Sequence, residues 1–241
     1  MTRAFDNLAR LQPDIYESLT NEIDIDKLKI ERTQVKVIRR AIVTGHYSGV
    51  MPDACQDAFA CWNHLGGLVG AVAYGPGGNN KTLSAVVEGM DNKRGRELIR
   101  LWVHPNAPKN TASKMVAKSL KLLPNEVELV VTFADSGQRH LGIVYQALNF
   151  YYLGMSNEGI RYVDNSGIEV TSRLANIYRL RQPERFGGMT NKQIREQLGW
   201  IAVKSHSKHR YAIGVGKNKN KINKILSDKK MPYPKDLIRN V

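Results

Sequence analysis

The sequence has few of the features that mark secreted, membrane or disulfide-rich proteins. It contains two cysteines in 241 residues, Cys55 and Cys61, which are too few for a disulfide framework. No apolar run approaches the ~18 residues needed to span a bilayer, and the first residues lack the apolar segment of a signal peptide. No internal repeat is present. We therefore expect an intracellular protein without a membrane partner, long enough to bury a sizeable core.

Common metal-binding and phosphate-binding motifs are missing as well. The two cysteines have no second pair, and no histidine stands at zinc-site spacing from them. The glycine-rich stretch 75–78 lacks the Gly-Lys-Ser/Thr ending of a phosphate-binding loop. We interpret it as a turn beside the substrate pocket.

Positive charge is abundant and unevenly distributed. The formal net charge is +14, and residues 171–241 contain 17 Lys and Arg against 4 Asp and Glu. Such an excess indicates a polyanionic partner, because neutralising phosphates releases condensed counterions. The charge does not distinguish DNA from RNA. We predict a basic C-terminal extension over residues 181–241, with contacts to nucleic acid from Lys204, Lys208, Arg210, Lys217, Lys219 and Lys221.

Hydrophobic periodicity and turn residues predict a mixed sheet with helices packed on it. A hairpin is expected at 59–74, and a second hairpin around the turn 164–167. The other predicted strands are 97–103 and 127–133. The predicted helices are 31–43, 110–122, 141–153, 174–180 and 191–198. The fold class is therefore α/β, of the α+β mixed-sheet type.

The middle of this sequence resembles the acyl-CoA-dependent N-acetyltransferase (GNAT) fold. In that fold one strand splays from its neighbour, and the amino end of the next helix holds the pyrophosphate of coenzyme A. The chain departs from the family pattern at two places. Lys109-Asn110-Thr111-Ala112-Ser113 replaces the glycine-rich pyrophosphate loop, and Phe150 stands where many GNAT enzymes have a general-acid tyrosine.

A narrower resemblance rests on six motifs that follow one another in order. They are His-Tyr-Ser-Gly at 46, the Gly-Pro loop at 75, Arg-Leu-Trp-Val-x-Pro at 100, Pro-Lys-Asn-Thr-Ala-Ser-Lys at 108, Phe-Ala-Asp at 133 and Gly-Ile-Val-Tyr-Gln-Ala-Leu-Asn-Phe at 142. Together they are similar to the Mom family of bacteriophage DNA-modification proteins. The similarity extends over about residues 31–236, and it gives the domains as an N-terminal segment 1–30, a GNAT-like catalytic domain 31–180 and the extension 181–241.

The Mom resemblance implies conversion of adenine in double-stranded DNA to N6-carbamoylmethyl adenine, which protects phage DNA from restriction in the cytoplasm of the infected bacterial host. The product joins N6 to a CH2 group. An acetyl donor, such as acetyl-CoA, would need an activated methyl carbon, and a redox metal is one physical route to it. Alternatively, a glycine-type amine attacks C6 and displaces ammonia. The sequence leaves both routes open.

The resemblance points first to His46, Tyr47 and Asp135 as catalytic residues. An imidazole and a carboxylate suit acid–base work on the adenine amino group. They also suit iron or another divalent metal, for which His46 and Asp135 are two ligands where three are usual. The structural alternatives are a histidine at a helix C-terminus and an aspartate that caps the next helix.

Five further residues are predicted to bind the donor or the base. Arg100 lies in a strand, where an unpaired charge is costly, so it should reach a phosphate, a carboxylate or an internal acid such as Asp135. Asn110 and Ser113 stand at the first turn of a helix, suited to an anion or to simple capping. Tyr145 and Asn149, four apart, should share a helix face, with Tyr145 either orienting the base or packing in the core.

An enzyme that works on adenine N6 in a duplex is expected to flip the base, and a homodimer is possible. Two rival functions remain open. One is an ordinary GNAT acetyltransferase that acts on a protein or a small molecule. The other is a non-catalytic nucleic-acid-binding protein with a GNAT-like core.

Overall fold

The computed structural model describes residues 24–78, 81–170 and 174–235. The strands in this part of the chain are β1 (Lys29–Thr33), β2 (Asp57–Trp62), β3 (Leu68–Gly75), β4 (Gly95–Val103), β5 (Leu129–Asp135), β6 (Tyr151–Met155), β7 (Gly159–Val163), β8 (Glu169–Val170), β9 (Ile201–Ser205) and β10 (Lys208–Gly214). The helices are α1 (Val35–Gly45), α2 (Thr111–Lys121), α3 (Ile143–Ala147), α4 (Leu174–Arg181), α5 (Pro183–Phe186), α6 (Asn191–Gln197) and α7 (Lys219–Lys229). The mixed α/β class predicted from the sequence is confirmed.

The larger sheet of the described residues has the strand order β1-β2-β3-β4-β5-β10-β6. The neighbours from β1 to β4 are antiparallel, whereas β4 and β5 are parallel. The predicted hairpin between β2 and β3 is confirmed. Its turn is closed by the Asn63 side chain, which accepts hydrogen bonds from the N–H groups of Leu65 and Gly67.

Alternation along the strands sorts small and large side chains onto opposite faces of this sheet. One face of β2 and β3 presents alanines, against which the buried Ile38 and Ile42 of α1 pack. The opposite face presents large residues, among them Phe59 and Tyr74, and packs against α2. Helix α1 therefore lies over a bed of small side chains, which are Ala58, Ala60, Ala71 and Ala73.

Two helix predictions are corrected by the structure. Residues 31–33 belong to β1, and helix α1 begins only at Val35. The predicted helix 141–153 is a single turn, α3, after which Asn149 takes a left-handed conformation with φ 59°. Strand β6 follows because aromatic residues favour a pleated, half-buried surface over a helix.

The C-terminal part of the chain contributes to the core. Strand β10 lies between β5 and β6 in the larger sheet. Helix α7 buries Ile222 and Leu226 against a cluster that includes Leu129 and Val131 of β5. The segment after α7 reaches β6, where the Met231 N–H donates to the Tyr152 carbonyl at 2.8 Å.

The chain divides into two compact units. Among the described residues, the first contains those from 24 to Ala134, Leu141–Gly154 and those from Arg210 to 235. The second contains Asp135–His140 and Met155–His209. Within the second unit the strands are ordered β8-β7-β9, and the predicted hairpin is confirmed by the pair Tyr162↔Val170. Its helices enclose a small core of Ala175, Phe186 and Ile194.

No helix in the described ranges is long and apolar enough to cross a membrane.

Candidate functional site

The parallel strands β4 and β5 separate halfway along their length. Their pairing runs from Gly95↔Leu129 to Leu98↔Thr132, after which β4 continues beside β3 as far as Val103. Separating parallel strands open a crevice at their carboxyl ends, where ligands commonly bind in α/β sheets. Helix α2 begins eight residues after β4. The first unit therefore has a crevice between the ends of β4 and β5. The amino end of α2 follows β4, the strand that forms one wall of this crevice.

The loop that follows α1 is packed onto the outer half of β4. A Cβ atom at Gly45 would clash with the indole of Trp102, so this glycine allows the end of α1 to lie directly on the strand. The His46 N–H closes the helix by donating to the Ile42 carbonyl at 3.0 Å, and the Gly49 N–H donates back to the His46 carbonyl at 2.9 Å. His46 and Tyr47 thus stand in a tight turn against β4.

Arg100 holds this loop to the strand. Its Nε donates to the Val50 carbonyl at 2.7 Å, and a terminal nitrogen donates to the Ile99 carbonyl at 2.6 Å. The sequence predicted a phosphate, a carboxylate or an internal acid for this guanidinium. Two of its hydrogen bonds go to main-chain carbonyls, by which Arg100 ties the His46 loop to β4, and its predicted contact with an anion or an acid stays a prediction.

The imidazole of His46 has a defined set of neighbours. Its Nδ1 lies 2.9 Å from the Ser48 hydroxyl oxygen and accepts the Ser48 N–H at 3.1 Å. The Tyr47 ring lies beside it, with 4.4 Å between ring centroids and 31° between planes. Tyr47 is 51% exposed, so its ring is accessible to a planar partner such as a nucleobase.

The amino end of α2 is only lightly capped. Asn110 has φ 68°, and its side chain makes no capping hydrogen bond. The Ser113 hydroxyl donates to the Asn110 carbonyl at 3.0 Å, and that of the buried Thr111 donates to the Pro108 carbonyl at 2.7 Å. First-turn amides that a cap leaves unsatisfied are suited to an anion. The predicted anion role of Asn110 and Ser113 stays a prediction.

Tyr145 and Asn149 do not share a helix face, because α3 ends at Ala147 and Asn149 lies beyond it, exposed. Tyr145 is buried beside the rings of Phe150 and Tyr211 and hydrogen-bonds with Thr132. Burial raises the pKa of the Tyr145 hydroxyl. Tyr145 therefore packs in the core, which was one of the two predicted alternatives. Its hydroxyl reaches Thr132, the last residue of β5 that pairs with β4.

Asp135 lies at the end of β5 and belongs to the second unit, whereas His46 belongs to the first. Its carboxylate caps a short turn by accepting the Gly137 N–H at 3.0 Å, and it lies 3.6 Å from the Lys208 ammonium. The described residues contain no group of three His, Cys, Asp or Glu side chains that could hold a metal. The assignment of His46 and Asp135 as two metal ligands stays a prediction.

The predicted nucleic-acid contacts fall into two groups. Lys217, Lys219 and Lys221 are exposed around the start of α7. Of the others, Lys204 lies 4.0 Å from Glu158, Lys208 pairs with Asp135 as described, and half-buried Arg210 donates to the Leu153 carbonyl at 3.1 Å. The first group and Lys204, whose side chain is 89% exposed, have the exposure that phosphate contacts require, and the DNA contacts of all six residues stay a prediction.

Two features of the first unit were not predicted from the sequence. Helix α1 has no acidic residue and exposes Lys36, Arg39 and Arg40 on the element that leads to His46. The positive charge of α1 can be read from the sequence. It was overlooked because residues 171–241 contain a larger excess of Lys and Arg. His104, directly after β4, accepts the Asn106 N–H at 3.2 Å through Nδ1, and burial lowers the pKa of its ring.

Comparison with known proteins gives the family. The sequence profile of the Mom protein family matches residues 27–235. The chain is 30% identical over 218 residues to methylcarbamoylase Mom of Escherichia phage Mu, an alignment that covers 87% of this chain and 84% of the phage Mu protein. The chain belongs to the Mom protein family.

Similar solved structures come from the GNAT family of acetyltransferases. The spermidine/spermine N-acetyltransferase SpeG of Vibrio cholerae, in complex with manganese ions, has a TM-score of 0.45 and 10% identity, covering 86% of this chain and 99% of its own. The N-acetyltransferase YhbS of Escherichia coli, in complex with CoA, has a TM-score of 0.37 and 18% identity, covering 52% and 68%.

Proposed function

We propose that this protein is a phage transferase that converts adenine in double-stranded DNA to N6-carbamoylmethyl adenine, and that it acts in the cytoplasm of the infected host. Membership of the Mom family over residues 27–235 carries this proposal. The name of the phage Mu relative, methylcarbamoylase, supports transfer of the same group.

The His46 loop is the proposed acceptor side of the site. Loop 46–50 is fixed to β4 next to the crevice between β4 and β5, so a base brought there meets an imidazole and the exposed Tyr47 ring. An aromatic face stacks on any base, with a gain of about 1–3 kcal/mol per base. A flipped adenine bound in this way would have its amino group withdrawn from the duplex.

The crevice and the start of α2 form the proposed donor side. An acyl-CoA or a related donor carries phosphates, and the first-turn amides of α2 with Ser113 suit such an anion. When bound, the donor supplies the two-carbon unit of the product. The exposed lysines around the start of α7 and the cations of α1 would contact the DNA phosphates. Asp135 stays a proposed catalytic residue.

The test is mass spectrometry of nucleosides from the DNA of a host that expresses the protein. The wild type should yield a carbamoylmethyl adduct of deoxyadenosine. His46→Gln should abolish it, whereas His64→Gln, in the exposed turn between β2 and β3, should leave it unchanged. Unmodified adenine with a folded, soluble protein would contradict the proposal, and lysine acetylation without an adduct would favour an ordinary acetyltransferase.

The same measurement with isotope-labelled adenine distinguishes the two chemical routes. If an amine attacks C6, a new C6–N bond forms, the bond to the original amino group breaks, and a 15N label at N6 leaves as ammonia. If N6 itself displaces a leaving group from an activated CH2 carbon and gives up one of its protons, the label stays in the product. The fate of the label therefore identifies which nitrogen the product contains.

A further inference from the structure

The contact between Ser48 and His46 determines where the imidazole carries its proton. The Ser48 main-chain N–H lies 3.1 Å from Nδ1 of His46, and a main-chain amide can only donate. A neutral ring with its proton on Nδ1 would direct two hydrogens at each other. We infer that Ser48 is a positioning residue that holds neutral His46 in the tautomer protonated on Nε2.

The Ser48 hydroxyl is compatible with this tautomer. Its oxygen lies 2.9 Å from Nδ1 of His46 and 3.4 Å from the Val50 carbonyl. Because a hydroxyl both donates and accepts, it can donate to an unprotonated Nδ1, or accept from a protonated one while donating to Val50. The main-chain amide of Ser48 is therefore the group that decides the tautomer.

The ring has little freedom to escape this arrangement. The turn is closed by the hydrogen bond from Gly49 to the His46 carbonyl, and Arg100 binds the Val50 carbonyl at the other end of the loop. Tyr47 lies along the ring at 4.4 Å. A 180° flip of the imidazole would place a C–H group opposite the Ser48 donors, which would lose both hydrogen bonds.

The tautomer determines whether Nε2 of His46 donates or accepts a hydrogen bond at the site. This consequence rests on the proposed function. With its proton on Nε2, the neutral ring presents a hydrogen-bond donor at that atom. It neither accepts a proton there nor offers a lone pair to a metal. A donor matches an unprotonated ring nitrogen of adenine rather than its amino group. His46 therefore orients and polarises the base, and the proton acceptor is another group.

The experiment is long-range 1H–15N NMR of the full-length protein labelled in histidine, at alkaline pH, where an imidazole is neutral. His46→Gln identifies the His46 signals by their disappearance. We expect Nε2 to show the shift of a protonated ring nitrogen and Nδ1 that of an unprotonated one. The reverse pattern, or averaged shifts from both tautomers, would overturn the inference.

Two variants of Ser48 test whether its main-chain amide fixes the tautomer. Ser48→Ala keeps the amide donor, so the Nε2–H pattern should persist. Ser48→Pro removes that donor and should release the ring into both tautomers, as long as the His104 signals show that the fold is retained. Diamagnetic zinc ions added to the wild type should leave Nε2 protonated, and conversion of Nε2 into a metal ligand would overturn the inference. None of these readouts needs DNA or a donor, so failure of the proposed DNA chemistry would leave the tautomer result standing.

Discussion

Removal of residues 208–241 should unfold the protein rather than merely weaken its binding to nucleic acid. The deleted segment contains four large side chains that are at most 7% exposed, Tyr211, Val215, Ile222 and Leu226. Burying a side chain of this size contributes about 1.5–3 kcal/mol. Their loss therefore removes about 6–12 kcal/mol, against a total stability of about 5–15 kcal/mol for a typical protein. The gap left between β5 and β6 adds unpaired main-chain groups to that loss.

Circular dichroism and urea unfolding of the truncated chain would measure this effect. We expect either insoluble protein or a chain without a cooperative unfolding transition. A truncated protein that unfolds cooperatively, with stability close to that of the full chain, would refute the reasoning. It would mean that β10 and α7 are dispensable to the core.

Three other predictions concern charge and burial. Replacing Lys217, Lys219 and Lys221 by Gln should leave the fold intact. If each lysine neutralises one phosphate, the slope of log K for DNA binding against log salt concentration should fall in magnitude by up to about 2.7. The same exchange at the exposed Lys27, Lys118 and Lys121 is the control. Asp57→Ala should cost about 3–5 kcal/mol, because it leaves the buried Arg96 guanidinium, 2.7 Å from that carboxylate, without its counter-charge, whereas Asp53→Ala at an exposed pair should cost less than about 1 kcal/mol. Burial raises the pKa of the Cys61 thiol from 9.0 to about 11. The contribution of the protonated thiol to stability is therefore complete below pH 9 and is lost as the pH rises through 11. In a pH series of urea melts, the free energy of unfolding should decline less for Cys61→Ala than for the wild type.

The predicted elements that the structure confirms are those with strong local signals. The hairpin between β2 and β3 has a turn with paired glycines, and β5 is dense in β-branched residues. Helix α2 lies between a polar start and a proline at 124, and its predicted bounds agree with the structure to within one residue. In each case the sequence next to the element determines its type.

The errors arise where tertiary context decides. Residues 141–153 have an apolar pattern that fits a helix, but Asn149 turns the chain and the aromatic residues after it pair as an edge strand. The lysine-rich composition of the last forty residues concealed β10, which lies in the interior of the sheet. No local signal identifies such a strand, since its partners β5 and β6 lie more than fifty residues earlier in the chain.

The sequence predicts the candidate site residues one by one, but it does not predict how they are arranged. His46 and Tyr47 are adjacent in sequence and could be recognised together. The position of Arg100 on the Val50 carbonyl depends on contacts across fifty residues. The role of Ser48 depends on the direction of one main-chain N–H bond. Neither of these two features is encoded in a motif.

The alanines beneath α1 determine how closely this helix packs on the sheet. The separation of a helix from the surface it packs on follows the size of the side chains between them. An exchange of Ala71 or Ala73 for valine would lift α1 away from β3, and His46, which closes the end of that helix, would move with it. Under the proposed role of His46, the alanines beneath α1 would therefore help to set the geometry of the site although they touch no substrate.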